Sequence, residues 1–544
     1  MDFNSIDKFK PTDEIEKIYS RIDRIMANTN TEDIISGIVE YQFMDLMDEL
    51  RLNKAELVAG RAIKFNVINS KYTYLFKESE RLLELSEKAI KYLGIKDIFE
   101  KTASGKDMSD EEKKKIEKSI SMRTKSIFIR GDAYSKQLVE FSKKLYSKFD
   151  GDIERAFGFT YSQCQDMIIY VYKLYKEQTE KLKNNFEKIV NSPIAGTGYL
   201  QNENYAMQSI SKGYVYRVDK QELYNKFGKD IVDNIISYLS LELGQENKGF
   251  NNIDDFNILY SKPIINFGEY IYIPLPISAI QNLPKLFHYE FITKKNISKI
   301  ARSEYTKWRG DLIEELTAEY LERLFMEKSI YKSLYYFEKG ERFESDVTVQ
   351  VKDTTLLCEC KSKILVLSSL KGNLESIEKD FNDAIGKAYE QAKRTQEWIM
   401  NEKNFELDES KGNSKVVKLN KTTRNFKLCI VAENFGWIAS NIAEYIEVEN
   451  KNDLPLVINI YDLDIITREV KGYKEFIKYL EFRNKYQEDI SFVDELEMFC
   501  AFTDGRFESQ EFGDVDKVYI DKFTEELDMK YGAESETWLN NYKI

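Results

Sequence analysis

The segment Leu356–Lys363, LLCECKSK, decides how the second half of the chain folds. Its apolar start is typical of a buried strand, yet Glu359 and Lys361 follow at once. Residues two positions apart in a strand point to the same face, so these two charges share one side. Charged groups are rarely buried unless they are paired or bind a metal ion. The segment therefore raises the question of which partner lets an interior strand carry them.

The residues just before this segment predict the partner. The sequence ESDVTVQVKDTTLLCECKS, residues 344–362, indicates two strands, Ser345–Val351 and Thr355–Lys361, joined by a tight turn. Antiparallel pairing of these strands brings Asp346 opposite the end that carries Glu359. Two carboxylates and a lysine would then meet at one end of a sheet. A divalent cation bound there would remove the mutual repulsion of the carboxylates.

Composition restricts the chemistry. The chain has 544 residues, 42% of them apolar, which predicts about three globular domains. Its five cysteines form no CxxC pair, so reduced thiols are expected rather than a zinc site. A single histidine, His288, means that carboxylates would have to hold any metal, which favours Mg²⁺ or Mn²⁺. The sequence has neither a long apolar run nor a signal-peptide pattern, so a cytoplasmic protein is expected.

The hydrophobic pattern divides the chain into four regions and predicts a multidomain α+β fold. Residues 1–260 repeat apolar residues at three- and four-residue spacing, which predicts a large, mostly helical region for recognition or regulation. Residues 261–300 form a connector that contains a hairpin and helical residues. Residues 301–468 predict an α/β domain whose mixed central sheet is flanked by helices. Residues 469–544 indicate a short, helical and acidic C-terminal segment.

Within the α/β region, two helices and two further strands are predicted around the hairpin. The helices are Asp311–Glu327 and Glu375–Trp398, each with an apolar stripe at helical spacing. The strands are Phe426–Ala432 and Leu456–Tyr461, which are continuous apolar runs. This order of helix, hairpin, helix, strand and strand predicts a mixed α/β sheet flanked by helices.

These motifs together resemble the PD-(D/E)XK nuclease superfamily, also called restriction-endonuclease-like. Asp346 is followed, after twelve residues, by Glu359-Cys360-Lys361; a helix with RGDLIEE precedes the motif and a helix with YEQAK follows it. The resemblance covers about residues 307–467, and it implies a restriction-endonuclease-like domain that cleaves phosphodiester bonds. One departure is Ser345, which stands where the superfamily's name-giving proline would be.

The resemblance implies roles for the three motif residues. Asp346 and Glu359 would ligate Mg²⁺, for which Mn²⁺ can substitute. Lys361 would orient the attacking water and stabilise charge on the scissile phosphate. A lysine held beside carboxylates stays protonated, so we expect an electrostatic role rather than that of a general base. Two alternatives stay open: a surface ion pair on an edge strand, and a shifted register that uses Glu344 or Lys363 instead.

The flanking helices supply further candidates. Members of the superfamily often place a metal-linked glutamate four residues after a glycine, and Gly310 and Glu314 have that spacing. Glu314 borders the apolar stripe of its helix, so it is preferred to Glu315 as a catalytic residue and metal ligand. In the next helix, Gln391 would support the lysine or the water. An ordinary surface glutamine is the alternative.

Two segments are strongly basic although the whole chain has a net charge of −13. Residues 411–427 hold six Lys or Arg and no acid, and residues 113–148 hold eleven against three acids. Such runs can follow phosphates, although solvated surfaces are the alternative. The first run is predicted to form a basic loop or hairpin beside the active face. Its proposed nucleic-acid contacts are Lys415, Lys418, Lys421 and Arg424.

The function expected from the sequence is that of a Mg²⁺-dependent nuclease, a DNA endonuclease rather than a ribonuclease. An effector of an anti-phage or restriction-type system fits this expectation by analogy of fold. The alternative is a nucleic-acid-binding or scaffold protein whose nuclease-like fold no longer cuts. No GxxxxGK[ST] motif is present, so an ATPase or helicase would be a separate partner. A homo-oligomer is a second open possibility.

Overall fold

The structure is a computed structural model, and the chain in it forms two compact units. The model describes residues 11–44, 48–68, 76–102, 109–128, 132–190, 215–245, 247–293, 296–409, 413–446, 453–507 and 518–544. The helical unit comprises residues 1–107, 126–302 and 534–544, and the sheet unit comprises residues 108–125 and 303–533.

The secondary structure is numbered here in chain order over the described residues. The α-helices are α1 (Pro11–Met26), α2 (Thr31–Met44), α3 (Arg51–Ala62), α4 (Phe76–Thr102), α5 (Asp110–Phe128), α6 (Ser135–Tyr146), α7 (Asp150–Phe157), α8 (Tyr161–Val190), α9 (Lys220–Phe227), α10 (Lys229–Leu239), α11 (Pro276–Gln281), α12 (His288–Ile292), α13 (Lys299–Leu321), α14 (Leu367–Leu370), α15 (Leu374–Phe381), α16 (Lys387–Met400), α17 (Trp437–Ser440), α18 (Ile460–Glu469), α19 (Tyr473–Tyr486), α20 (Glu495–Thr503) and α21 (Glu525–Asn541). The strands are β1 (Val218–Asp219), β2 (Ser240–Leu241), β3 (Ile264–Asn266), β4 (Tyr270–Tyr272), β5 (Ile330–Glu338), β6 (Glu341–Val351), β7 (Thr354–Lys361), β8 (Phe405–Glu409), β9 (Asn413–Val417), β10 (Arg424–Val431), β11 (Leu456–Asn459), β12 (Ile490–Ser491) and β13 (Val518–Tyr519).

The helical unit packs around aromatic side chains. Tyr146 and Phe287 are fully buried, and the ring of Tyr238 stacks on Phe287 with centroids 5.4 Å apart. The predicted hairpin is confirmed, because β3 and β4 pair antiparallel and Gly268 turns between them with a φ of 89°. Helix α9 has an N-cap, since the Asp219 carboxylate accepts a hydrogen bond from the backbone N–H of Gln221.

Helix α2 carries a partly buried carboxylate, that of Glu40, which should make the stability of this unit depend on pH. Burial raises the pKa of Glu40 to about 7. The folded chain then binds this proton more tightly than the unfolded chain, so the unfolding free energy falls as the pH rises from about 4.5 to about 7. We expect Glu40→Gln to raise the unfolding free energy by roughly 1–3 kcal/mol near pH 8 and by much less near pH 5. Thermal unfolding of both proteins at each pH measures this, and an equal gain at both pH values would contradict it.

The sheet unit contains a seven-stranded mixed sheet in the order β11-β10-β7-β6-β5-β8-β9. Strands β7, β10 and β11 are parallel, and the strands from β6 to β9 continue antiparallel. Helix α16 covers one face, where Ala392 packs with Leu357 of β7 and Phe405 of β8. Cys360 of β7 points to the other face, and its thiol lies 3.5 Å from the Thr317 hydroxyl of α13. The mixed α/β character predicted for this region is therefore confirmed.

Strand β5 was not predicted. Its sequence, IYKSLYYFE, does not alternate between apolar and polar residues as a regular strand does. The structure shows the reason: Ser333 has a left-handed φ of 53°, and the consecutive residues Tyr335 and Tyr336 are both buried. The strand nevertheless pairs antiparallel with β6 along most of its length. It therefore places the hairpin of β6 and β7 in the interior of the sheet.

Two predicted ends and the continuity of one predicted helix were wrong. The helix predicted to end at Glu327 ends at Leu321, and the strand predicted to reach Tyr461 ends at Asn459. Asn459 stops that strand because its side chain accepts the N–H groups that open α18. The long helix predicted between the hairpin and β10 is interrupted by a π-helical turn at Asn382–Gly386.

Some predictions fall on residues outside the described ranges. The hydrophobic pattern predicts helices at Thr31–Leu52 and Tyr72–Tyr92 and a break at Gly105–Glu112. Residues 45–47, 72–75 and 105–108 of these segments are not described. Among the described helices, none combines the length and the apolar composition needed to cross a bilayer.

Candidate active site

Strand β7 carries the charges of the candidate site on one face at its C-terminal end. The strand lies between β10 and β6, and every residue of it except Lys361 is buried. Leu357, Glu359 and Lys361 alternate onto the face that α16 covers, where Leu357 packs with Ala392. An interior position excludes the alternative of an ion pair on an edge strand. Glu359 and Lys361 therefore lie on the same face of the sheet, as their spacing of two residues predicts.

Asp346 lies where the pairing of β6 with β7 ends. The last ladder pair is Val347 with Cys358, and the next bond comes from a side chain: the Cys360 N–H donates to Asp346 Oδ2 at 2.7 Å. On the other side, the ladder to β5 is interrupted at Ser333. Asp346 is 7% exposed. The carboxylate of Asp346 is thus fixed at the open end of the hairpin, beside Cys360, which lies between Glu359 and Lys361 in the sequence.

Lys361, Asp346 and Gln391 form a closed hydrogen-bond network. Lys361 Nζ donates to Asp346 Oδ2 at 3.4 Å and to Gln391 Oε1 at 3.1 Å. Gln391 Nε2 donates to Asp346 Oδ1 at 3.2 Å and to the Glu344 carbonyl at 2.7 Å. Burial lowers the pKa of Lys361, but the charges of Asp346 and Glu359 outweigh it and leave that pKa above its ordinary value. The ammonium group is therefore charged and held in one place.

Glu359 is completely buried and only half satisfied. Its Oε1 accepts a hydrogen bond from the Ser345 hydroxyl at 3.1 Å, whereas its Oε2 has no hydrogen-bond partner. Burial, together with the negative charge of Asp346, raises the pKa of Glu359 well above its ordinary value, and Lys361 opposes this shift. An unpartnered buried oxygen is costly unless another group satisfies it. The arrangement therefore has a place for a cation or a proton at Oε2.

Ser345 is a positioning residue that the sequence reasoning missed. The sequence marked it only as a departure from the superfamily's proline. Its hydroxyl is fully buried, and besides its contact with Glu359 it lies 2.9 Å from the Thr348 hydroxyl. Proline has no side-chain donor, so it could not orient Glu359 in this way. The signal available in the sequence was the pair of hydroxyl residues, Ser345 and Thr348, on either side of Asp346.

The two glutamates of α13 differ in their surroundings. Glu314 is partly buried, and burial followed by the charges of Asp346 and Glu344 raises its pKa to about 7. Glu315 is exposed. Glu314 therefore lies within the electrostatic field of the site, and the preference for it over Glu315 stays a prediction.

The residues of the shifted-register alternative lie outside the network. Lys363 Nζ is 3.1 Å from Asp380 and 3.7 Å from Asp383, so it has carboxylate partners of its own. The side chain of Glu344 points toward Arg342, with 3.9 Å between their charged atoms. Only the backbone carbonyl of Glu344 takes part in the network, through Gln391.

The carboxylate oxygens of the site are suitable ligands for a hard divalent cation such as Mg²⁺. Within the described ranges, no group of three or more His, Cys, Asp or Glu side chains is arranged to hold a metal ion. Mg²⁺ commonly takes only one or two carboxylates from a protein and completes its shell with water and phosphate oxygens. Asp346 and the unpartnered oxygen of Glu359 could supply these two ligands, and Glu314 is not grouped with them.

The predicted basic contacts do not all lie near this end of the sheet. Lys415 is exposed on the edge strand β9, and through Leu407 and Leu334 it is level with Ser345. Arg424 pairs with Thr354 at the opposite end of β7 from Lys361, roughly 23 Å away at about 3.3 Å per residue. Arg424 also forms ion pairs with two carboxylates, those of Asp353 and Glu481.

The remaining basic residues are likewise scattered. Lys421 pairs with Glu402 at 3.8 Å, and the segment that carries it and Lys418 runs past the far end of the hairpin, where Asn420 bonds to Gln350. Residues 411 and 412 of this run, and residues 129–131 of the other run, lie outside the described residues. In α5, Lys118 lies over the ring of Tyr445 at 4.1 Å, which is a packing contact. Of the four proposed nucleic-acid contacts, all of which are described, Lys415 alone is level with the site.

Comparisons of the chain with protein-family models, with curated proteins and with solved structures found no match.

Proposed function

We propose that this chain is a divalent-metal-dependent nuclease of the PD-(D/E)XK type, and specifically a DNA endonuclease that uses Mg²⁺. The observation that carries the proposal is the network of Asp346, Lys361 and Gln391 beside the buried, unpartnered oxygen of Glu359. Phosphodiester hydrolysis assisted by a metal needs ligands for the ion and a fixed positive charge for the phosphate. Two carboxylates and one ammonium at a single strand end meet both needs.

Lys361 is the group that would contact the scissile phosphate. Two of its three N–H bonds are directed at Asp346 and Gln391, which leaves one for a phosphate oxygen. Because its pKa is raised, the side chain stays protonated and acts as an electrostatic stabiliser. Its side chain is 22% exposed, so a substrate can reach it.

Asp346 and Glu359 would hold the metal ion, which when bound activates a water molecule and neutralises charge on the phosphate. Hydrogen bonds from neighbouring residues orient both carboxylates. The Cys360 N–H holds one oxygen of Asp346, and the Ser345 hydroxyl holds one oxygen of Glu359. This leaves Glu359 Oε2 as the donor atom without a competing partner.

Gln391 is a positioning residue in this proposal, since it orients Lys361 and Asp346 rather than touching the substrate. We expect Gln391→Ala to lower kcat roughly ten- to a hundredfold with little change in KM, because a misplaced charged group loses most of its effect on the reaction. Steady-state cleavage assays measure both constants. Gln396→Ala, on the same helix, is the matched control and should cleave at the wild-type rate. An unchanged kcat for Gln391→Ala would remove it from the site.

The second candidate is a scaffold or nucleic-acid-binding protein that no longer cuts. Incubation of the purified protein with supercoiled, linear and single-stranded DNA and with RNA, each with Mg²⁺ or with a chelator, separates the two. Nicking of circular DNA that depends on Mg²⁺ is the expected result. Binding without cleavage under every metal condition favours the scaffold. A role as effector of an anti-phage or restriction-type system is part of the proposal by analogy of fold.

A further inference from the structure

A groove of about 370 Å³ opens beside the candidate site in the sheet unit. It lies where the pairing of β6 with β7 has stopped, so residues 341–346 of β6 have no ladder partner in β7. Its walls come from that part of β6, from the π-helical turn and from the start of α16. Gln391 lines the groove and also bonds to Lys361, so the groove and the network share a residue.

Arg394 is the cation that distinguishes this groove. Its guanidinium lies over the ring of Phe343, 4.2 Å from the ring centroid. Over the described residues, no carboxylate lies within ion-pair distance of Arg394, although Glu390 is one helical turn away on α16. By contrast, Lys387 in the same groove is paired with Asp383 at 2.6 Å. A guanidinium that is stacked on a ring keeps the N–H donors of its rim available for an anion.

The position of Arg394 relative to the reaction centre follows from helix geometry. It is three residues after Gln391, which places it on the same side of α16 and roughly 4.5 Å further along the axis. Gln391 already contacts Asp346 and Lys361. An anion bound by Arg394 would therefore be the next one along a chain whose reacting phosphate contacts Lys361.

The helical wall of the groove begins with an irregular turn. Residues 382–386 are π-helical, a conformation that occurs often at functional sites. Asn382 is exposed and Gly386 follows one turn later; a Cβ on Gly386 would come within 2.6 Å of Asn382 Oδ1. The glycine therefore leaves the Asn382 amide room in the groove, on the same wall as Arg394.

We propose that this groove is a phosphate-binding subsite in which Arg394 binds the phosphodiester adjacent to the one that reacts. The inference rests on the proposed nuclease function and deepens it, because it assigns a place to the flanking part of the nucleic-acid strand. Arginine suits this task because its planar fork can bind a phosphate through two N–H groups. Arg394 lies outside the basic run at residues 411–427, so the sequence pattern did not indicate it.

The test is equilibrium binding of a fluorescent DNA duplex to the full chain, measured with chelator present and at several salt concentrations. Arg394→Met keeps the long side chain over Phe343 but removes its charge, and Arg394→Lys keeps the charge without the fork. Lys393→Met is the matched control, because it removes an exposed positive charge from the neighbouring position. Thermal unfolding verifies that each variant is folded.

We expect Arg394→Met to weaken binding roughly tenfold, and the slope of log affinity against log salt to become shallower by about one. Arg394→Lys should lose less affinity, and Lys393→Met should bind as the wild type does. If the wild type cleaves DNA but Arg394→Met and Lys393→Met bind equally well, the subsite is refuted and the nuclease function stands. If the wild type neither binds nor cleaves nucleic acid, both proposals fail.

Discussion

Replacement of Lys361 by alanine is expected to leave the protein folded and able to bind metal and DNA, yet to slow cleavage by roughly two to four orders of magnitude. The change removes the one ammonium that Asp346 and Gln391 hold in place, and it leaves both proposed metal ligands intact. One preorganised electrostatic group commonly accounts for a hundred- to a thousandfold in rate, and the positioning of water adds to this. Single-turnover cleavage of plasmid DNA at saturating Mg²⁺ measures the rate.

Lys363→Ala is the matched control for this experiment. Lys363 lies two residues further on, but its ammonium pairs with Asp380 and Asp383. We therefore expect Lys363→Ala to cleave at a rate close to that of the wild type. The opposite result, with Lys363→Ala inactive and Lys361→Ala active, would move the site to the shifted register.

Asp346→Asn is expected to abolish both cleavage and the response to metal. A ligand that binds only the folded state raises the unfolding temperature, so Mg²⁺ should stabilise the wild type. Asparagine keeps the size of the side chain but removes the charge that the ion and Lys361 both need. Thermal unfolding with Mg²⁺ and with chelator should therefore give a shift for the wild type and none for the variant.

Asp353→Asn provides the control for the metal response. Asp353 lies in the turn at the other end of the same hairpin, where it pairs with Arg424. Its replacement should leave the Mg²⁺-dependent shift in unfolding temperature intact. A full shift in Asp346→Asn would show that the ion binds elsewhere and would separate the metal from the proposed site.

The hairpin and its charged end could be predicted from the sequence because local rules determine them. A short turn and the two-residue period of a strand fix which residues of β6 and β7 face each other. Gln391 and Glu314 could be selected as candidates because each borders the apolar stripe of its helix. In the structure, Gln391 donates a hydrogen bond to Asp346, and the charge of Asp346 contributes to the raised pKa of Glu314.

Other features depend on contacts between distant segments, which the sequence does not display. Ser333 adopts a left-handed φ and hides the pattern of β5, so the depth of the hairpin in the sheet could not be predicted. The basic segment before β10 runs past the end of the hairpin that is farthest from the site. Its basic composition alone therefore could not predict where its side chains lie. The groove around Arg394 arises because the pairing of β6 with β7 stops at Val347, which depends on the register of a tertiary pairing.

The most direct measurement is the nicking of supercoiled plasmid by wild-type protein and by Lys361→Ala, purified in parallel and compared with Mg²⁺ and with chelator. The account predicts nicking by the wild type with Mg²⁺, none with chelator, and a loss of at least a hundredfold in the variant. The comparison also excludes a contaminating nuclease, which would be present in both preparations. A folded Lys361→Ala protein that nicks as fast as the wild type, or a wild type that leaves the plasmid intact with Mg²⁺, would contradict it.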